Sequence, residues 1–173
     1  CALPISLEGK IFIGLRSYSA GRLGEKAAIG LSESLHKLGI ETKKLKTGTP
    51  ARIDKRTIDY SKMIIQPGDE ELNFFSFKPD RPIRKTYPCY LTKTNELTHK
   101  IIRDNLDKSP MYQGLIHGVG PRYCPSIEDK IVRFASNPSH HIFIEPEGLG
   151  TYETYIQGVS TSLPIDVQIQ MIR

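Results

Sequence analysis

The chain has 173 residues, enough for one domain with a buried core or for pieces of two. It is 38% apolar and 25% charged, as in an ordinary folded domain, and no apolar run approaches the roughly 18–20 residues of a membrane span. The net charge of +5 is concentrated: between positions 43 and 56, Lys43, Lys44, Lys46, Arg52, Lys55 and Arg56 stand against Asp54 alone, so the rest of the chain sums to zero. Such a run is either a solvated face or a surface for a phosphate-rich partner.

The first residues lack the basic, apolar and small-residue zones of a secretory signal. The chain starts without Met and stops inside a helix-like run, Ile165 to Arg173, so an internal piece of a longer protein is expected. Cys1, Cys89 and Cys124 form no C-x-x-C pair, and an odd number argues against a disulfide framework. A reduced, cytoplasmic setting is expected. No Cys/His cluster has zinc spacing, and His140-His141 would point to opposite faces of a strand, so no metal site is expected.

In chain order, Lys10 to Gly14 reads as a short strand, and Ser17 to Gly24 as a Gly/Ser-rich loop. Ala27, Ala28, Leu31, Leu35 and Leu38 fall on one helical face, with Gly39 as the C-terminal cap. Thr42 to Lys46 reads as a strand leading into a turn at Thr47-Gly48-Thr49-Pro50. Residues 66–88 read as irregular connections holding an aromatic patch, Phe74 to Phe77, assigned to the core. Cys89 to Thr92 reads as a strand. Thr94 or Asn95 caps a helix with a buried stripe of Leu97, Ile101, Ile102 and Leu106. After the glycine-rich stretch 114–120 comes a helix from Pro125 to Ala135, its apolar face Ile127, Ile131, Phe134 and Ala135. A strand from His140 to Ile144 runs into a turn at Glu145-Pro146-Glu147-Gly148. Helices and strands alternate, which gives an α/β or α+β class with a mixed sheet.

Three segments have the residue types of a site. In Gly118-Val119-Gly120-Pro121-Arg122-Tyr123-Cys124-Pro125-Ser126, Pro125 is placed as the first helical residue, with Ser126 or Cys124 as the cap. A helix dipole and nearby Arg122 would favour the Cys124 thiolate, and the same amides suit a phosphate; the alternative is a buried cysteine at an ordinary turn. Thr47 to Arg52, flanked by Lys44 and Lys46, suits a phosphate or a flavin edge, or is a capped turn. Glu145 and Glu147 present two carboxylates, or form a surface turn.

Five runs carry a resemblance. Lys44-Leu45-Lys46-Thr47-Gly48-Thr49-Pro50-Ala51-Arg52-Ile53-Asp54, Asn105-Leu106-Asp107-Lys108-Ser109-Pro110-Met111-Tyr112, Gly120-Pro121-Arg122-Tyr123-Cys124-Pro125-Ser126-Ile127-Glu128-Asp129-Lys130, Glu145-Pro146-Glu147-Gly148 and Gly158-Val159-Ser160-Thr161-Ser162-Leu163-Pro164 closely resemble the GidA/MnmG family, from about Leu7 to Arg173.

The resemblance implies part of a Rossmann-type FAD-binding domain (1–60), an inserted α/β domain with a nicotinamide-binding segment (61–155) and a return toward the flavin domain (156–173). It implies an FAD- and NADH-using homodimer that works with tRNA and a GTPase partner, MnmE. The reaction would add an aminomethyl or carboxymethylaminomethyl group to carbon 5 of the wobble uridine, with methylene-tetrahydrofolate as carbon donor.

By resemblance Cys124 is the catalytic cysteine, acting either as nucleophile at carbon 6 of uridine or as an acid/base group. The nicotinamide segment is Gly120, Pro121, Arg122, Tyr123, Cys124, Pro125, Ser126, Ile127, Glu128, Asp129, Lys130, Ile131, Val132, Arg133 and Phe134. Lys44, Lys46, Arg52 and Lys55 are candidate tRNA contacts. Three departures stand out: Cys1 to Ser6 do not match the family, the family's Gly-rich flavin fingerprint is not among these residues, and Ala28 stands where many members have a flavin-contacting Ser. Two rival readings are a folate- and flavin-dependent tRNA uridine methyltransferase relative and a non-catalytic basic tRNA-binding module.

Overall fold

The computed structural model describes residues 7–21, 24–70, 77, 86–118, 120 and 125–173. Strands β1 (Lys10–Ile13) and β2 (Arg16–Ser19) form an antiparallel hairpin closed by the two residues Gly14-Leu15. The stretch read as a loop from Ser17 is thus a strand in its first part, because pairing with Lys10 to Phe12 supplies the backbone partners that its polar sequence does not advertise. The turn docks on a later segment: Gly14 N–H donates to the Ser162 carbonyl at 2.7 Å.

Helix α1 (Leu31–Lys37) is shorter than its apolar spacing predicts. Gly30, in a left-handed conformation at φ 91°, starts it, so Ala27 and Ala28 stay outside, and Ala28 bridges to Leu7. Leu31 and Leu38 are exposed among the described residues. Thr42 to Lys46 belongs to no named strand, and Thr47 to Pro50 is extended rather than turned: Thr49 bridges antiparallel to Thr161.

The main sheet has the order β3-β7-β6-β5-β4 and is antiparallel at every pairing, where the sequence suggested a mixed sheet. Its strands are β3 (Ile53–Asp54), β4 (Ile64–Gln66), β5 (Cys89–Lys93), β6 (His141–Pro146) and β7 (Glu153–Gln157). The sequence reading missed β7, whose Glu-Thr-Tyr-Ile-Gln offers few apolar residues. Thr154 and Ile156 are nevertheless buried in alternation, as a half-buried strand requires. Glu145 and Pro146 belong to β6 rather than to the turn.

Helices α2 (Glu96–Arg103), α3 (Ile127–Arg133) and α4 (Ile165–Ile172) close the core, with α2 packed on both others. Ile102, Ile127, Ile131, Leu163, Val167 and Met171 meet Ile142, Ile144 and Ile156 of the sheet. Asn95 caps α2 through a 2.9 Å bond from Thr98 N–H. The buried face of α2 is His99 and Ile102; Leu97 is 67% exposed. His99 is tolerated inside because its Nε2 pairs with Thr94 Oγ1 at 2.7 Å, and that hydroxyl also accepts from His140 N–H at 2.8 Å. Phe134 and Ala135, expected on the buried face of α3, are exposed past its end, and Phe77 is fully exposed rather than in the core. Phe74, Phe75 and Ser76 lie outside the described residues. No helix among the described residues is long and apolar enough to cross a membrane.

Truncation separates the two readings of α2. Ile102→Ala should cost about 2–5 kcal/mol, the scale of a cavity in a close-packed core. Leu97→Ala should stay within about 0.5 kcal/mol, as an exposed position does. Urea unfolding of both variants measures this; equal costs would contradict the observed helix face.

Candidate functional site around Glu128 and the 158–164 segment

The family-like runs meet in space. α3 starts at Ile127, and its cap is Ser126, whose Oγ accepts from Asp129 N–H at 3.1 Å. Pro125 therefore precedes the cap and is not the first helical residue. This register turns Ile127, Glu128 and Ile131 inward, and Glu128 is buried with 0% exposure.

A buried carboxylate is costly unless it is hydrogen-bonded or protonated. Glu128 Oε1 accepts from Thr161 Oγ1 at 2.9 Å and faces Ser162 N–H at 3.4 Å and Ser109 Oγ at 3.5 Å. Its Oε2 is buried without a partner among the described residues. Burial pushes the Glu128 carboxyl above the ordinary carboxylate range, and the Thr161 and Ser162 hydrogen bonds oppose that shift. Ser109 and fully buried Pro110, the 158–164 segment and α3 are thus tied at one side chain.

The 158–164 segment is gripped from other sides as well. Ile127 N–H donates to the Ser160 carbonyl at 2.8 Å, and Lys130 Nζ to the Gly158 carbonyl at 3.1 Å. A Cβ at Gly48 would come within 2.9 Å of Ser160 Cβ, so only glycine lets the 47–50 segment approach this closely. Gly118, at φ 128°, lies against Lys44: a Cβ there would sit 2.9 Å from the Lys44 carbonyl oxygen. Lys46 runs beside Gly120, where a Cβ would lie 3.6 Å from Lys46 Cε.

The sequence-predicted residues divide accordingly. Pro121, Arg122, Tyr123 and Cys124 lie outside the described residues, while Gly120 before them and Pro125 after them are placed. Of the remaining segment, Ile127 and Ile131 are core residues, Asp129 lies 4.0 Å from Arg133 Nε, and Val132 and Phe134 face outward. Lys44 is exposed and Lys46 half-buried.

Arg52 is anchored: Nε pairs with Glu147, Nη1 donates to Thr49 Oγ1 at 2.8 Å and to the Pro50 carbonyl at 3.0 Å, and the guanidinium sits 4.6 Å from the Tyr155 ring centre. Lys55 Nζ lies 5.2 Å from the Tyr152 ring centre. Cys89 is half-buried, and burial, then the nearby Glu145 charge, push its thiol up. Among the described residues there is no cluster of three or more groups able to hold a metal.

Sequence reasoning passed over Glu128 as a hub, because a Glu near a helix start usually faces water. The signal available was the spacing Ile127, Glu128, Ile131, which puts Glu128 on the same face as two core isoleucines.

Glu128 gives a pH signature. Its folded pKa is raised, so the native state holds a proton that the unfolded chain has released. Stability is full below the ordinary value near 4.5 and is lost as pH rises through the raised one. In thermal melts across that window the Glu128→Gln variant, which does not titrate, should gain steadily on the wild type; a constant difference would contradict a neutralised Glu128. Glu128→Ala should cost about 1–3 kcal/mol at low pH, by leaving Thr161 and Ser162 unsatisfied, and the cost should shrink as pH rises and the wild type alone loses stability.

Known proteins match this arrangement over nearly the whole chain. The family model described as glucose inhibited division protein A matches residues 6–173. The tRNA uridine 5-carboxymethylaminomethyl modification enzyme MnmG of Synechocystis sp. is 58% identical over 96% of this chain and 26% of its own length, and that of Heliobacterium modesticaldum is 56% identical with the same coverage. Crystal structures of Aquifex aeolicus GidA superpose with TM-scores of 0.80 (49% identity, 95% of this chain, 29% of that one) and 0.77 (44%, 95% and 27%). The chain therefore spans about a quarter of the length of the relatives it matches. With a family model covering residues 6–173, this chain belongs to the glucose inhibited division protein A (GidA/MnmG) family.

Proposed function

We propose that this chain is a central portion of a flavin-dependent tRNA-modifying enzyme that alters carbon 5 of the wobble uridine. The observation that carries this reading is the identity of 58% over 96% of the chain with a relative named for tRNA uridine 5-carboxymethylaminomethyl modification. In this reading the full-length protein uses FAD and NADH, takes its carbon from methylene-tetrahydrofolate, works with the GTPase MnmE and acts as a cytoplasmic homodimer.

The flavin and nicotinamide groups supply the redox chemistry when bound, and the chain's own residues supply binding and proton handling. Within 120–134 the core claims Ile127, Glu128 and Ile131, which leaves Pro125, Val132, Arg133 and Phe134 exposed toward a cofactor, with Arg133 suited to phosphate. Cys124 is the proposed catalytic residue, either adding to carbon 6 of uridine or moving a proton there. Lys44, Lys46, Arg52 and Lys55 are the basic residues from which the tRNA contacts are drawn. The non-catalytic basic module is disfavoured because the match extends through the whole Cys124 run rather than the basic run alone.

In the full-length enzyme, Cys124→Ser should leave fold and tRNA affinity intact and lower modification about 100-fold or more, since serine is a far poorer nucleophile and acid at neutral pH. Iodoacetamide should label Cys124 faster than Cys89, whose thiol is held up by burial. Near-normal modification by the Ser variant would make Cys124 structural.

A further inference from the structure

We propose that Lys43, Lys44 and Lys46 form the RNA phosphate-contacting edge of this chain, whereas Arg52, Lys55 and Arg56 are fold struts. The inference rests on the tRNA-modification reading and narrows it to a surface. In sequence all six cations look equivalent; in the fold they do not.

In the second half of the run both guanidiniums are matched by carboxylates, and Lys55 is held against an aromatic ring. Arg52 is paired with Glu147 and lies over Tyr155. Arg56 holds Asp54 through Nε at 2.9 and 3.1 Å, and its guanidinium lies 4.2 Å from the Tyr152 ring centre. The Arg56 hydrogen bonds bring the Asp54 carboxyl down to about 2, so that pair stays ionised at neutral pH. Lys55 stacks beside the same Tyr152 ring. These contacts join the β3 end of the run to β7 and its preceding loop, a fold-building role. A guanidinium matched by a carboxylate projects a weaker net field toward phosphate than an unpaired ammonium does.

The first half is different. Lys43 and Lys44 are exposed, and neither they nor Lys46 makes an ion pair among the described residues. Glu41, the nearest acid in sequence, is not paired with them either. The Lys44 backbone is pressed against Gly118, where a Cβ would sit 2.9 Å from the Lys44 carbonyl oxygen, and the Lys46 side chain runs beside Gly120. Lys43 and Lys44 therefore put exposed positive charge on one short segment packed beside Gly118, the arrangement that attracts a phosphate backbone.

The test measures affinity of the full-length enzyme for an unmodified tRNA transcript from about 50 to about 200 mM salt. Each phosphate contact contributes about 0.7–0.9 to the slope of log affinity against log salt. Lys43→Gln with Lys44→Gln should flatten the slope by about 1.4–1.8. Arg56→Gln with Lys62→Gln removes the same charge from residues paired with Asp54 and Asp59, and should leave the slope unchanged. Thermal midpoints confirm that each variant is folded; if the lysine pair melts early, Lys44→Gln alone should still flatten the slope by about half as much. Equal slopes for both pairs, or a slope change confined to the Arg56 pair or to Arg52→Gln, would overturn the division while wild-type tRNA modification stands. A wild-type enzyme that neither binds nor modifies tRNA would instead sink the functional reading itself.

Discussion

One buried carboxylate organises this chain. Glu128 is fully enclosed, and its Oε1 is held by Thr161 with Ser162 and Ser109 alongside, so α3, the 158–164 segment and the Ser109-Pro110 turn share one anchor. An acid in a core of isoleucines is unfavourable unless its polar atoms are hydrogen-bonded or it is protonated; here Oε1 is hydrogen-bonded, Oε2 has no partner among the described residues, and burial favours the protonated form. Because Thr161 also bridges to Thr49, and Ser162 also receives the β1–β2 turn, the hub reaches residues 14, 49, 109, 128 and 161. A single side chain thus fixes where the helix that follows Cys124 begins.

This anchoring divides the basic run into a paired and an unpaired part among the described residues. Pro50 is buried and Arg52 is tied to Glu147, so the chain beyond Thr49 is held to β7 and its aromatic residues. Ahead of Thr49 the chain lies along Gly118 and Gly120, with Lys43 and Lys44 exposed and Lys46 half-buried. The same stretch of sequence is therefore tied into the fold at one end and carries exposed lysines at the other.

The sequence carried the α/β class, most element positions and the five runs that mark the family, because glycines, prolines and caps such as Asn95 and Ser126 act locally. It misplaced what depends on distant partners. Leu97 and His99 both fit a helical stripe; hydrophobicity favours Leu97, yet the pairing with Thr94 puts His99 inside. Thr47 to Pro50 has turn composition but is drawn out straight by Thr161, and β7 is a strand because β6 and β3 flank it. Arg52 could not be told from Lys44 by sequence, since its partner Glu147 lies 95 residues away. Pro121 to Cys124 are the family's most distinctive residues, and their role rests on resemblance.

The central claim is that this chain serves uridine modification in tRNA. The most direct measurement is nucleoside mass spectrometry of bulk tRNA from cells in which the gene is disrupted and then restored. Loss of the aminomethyl-type groups on carbon 5 of wobble uridine on disruption, with recovery from the intact gene and none from the Cys124→Ser gene, is the expected result. Unchanged levels of those nucleosides in the disrupted cells would contradict it.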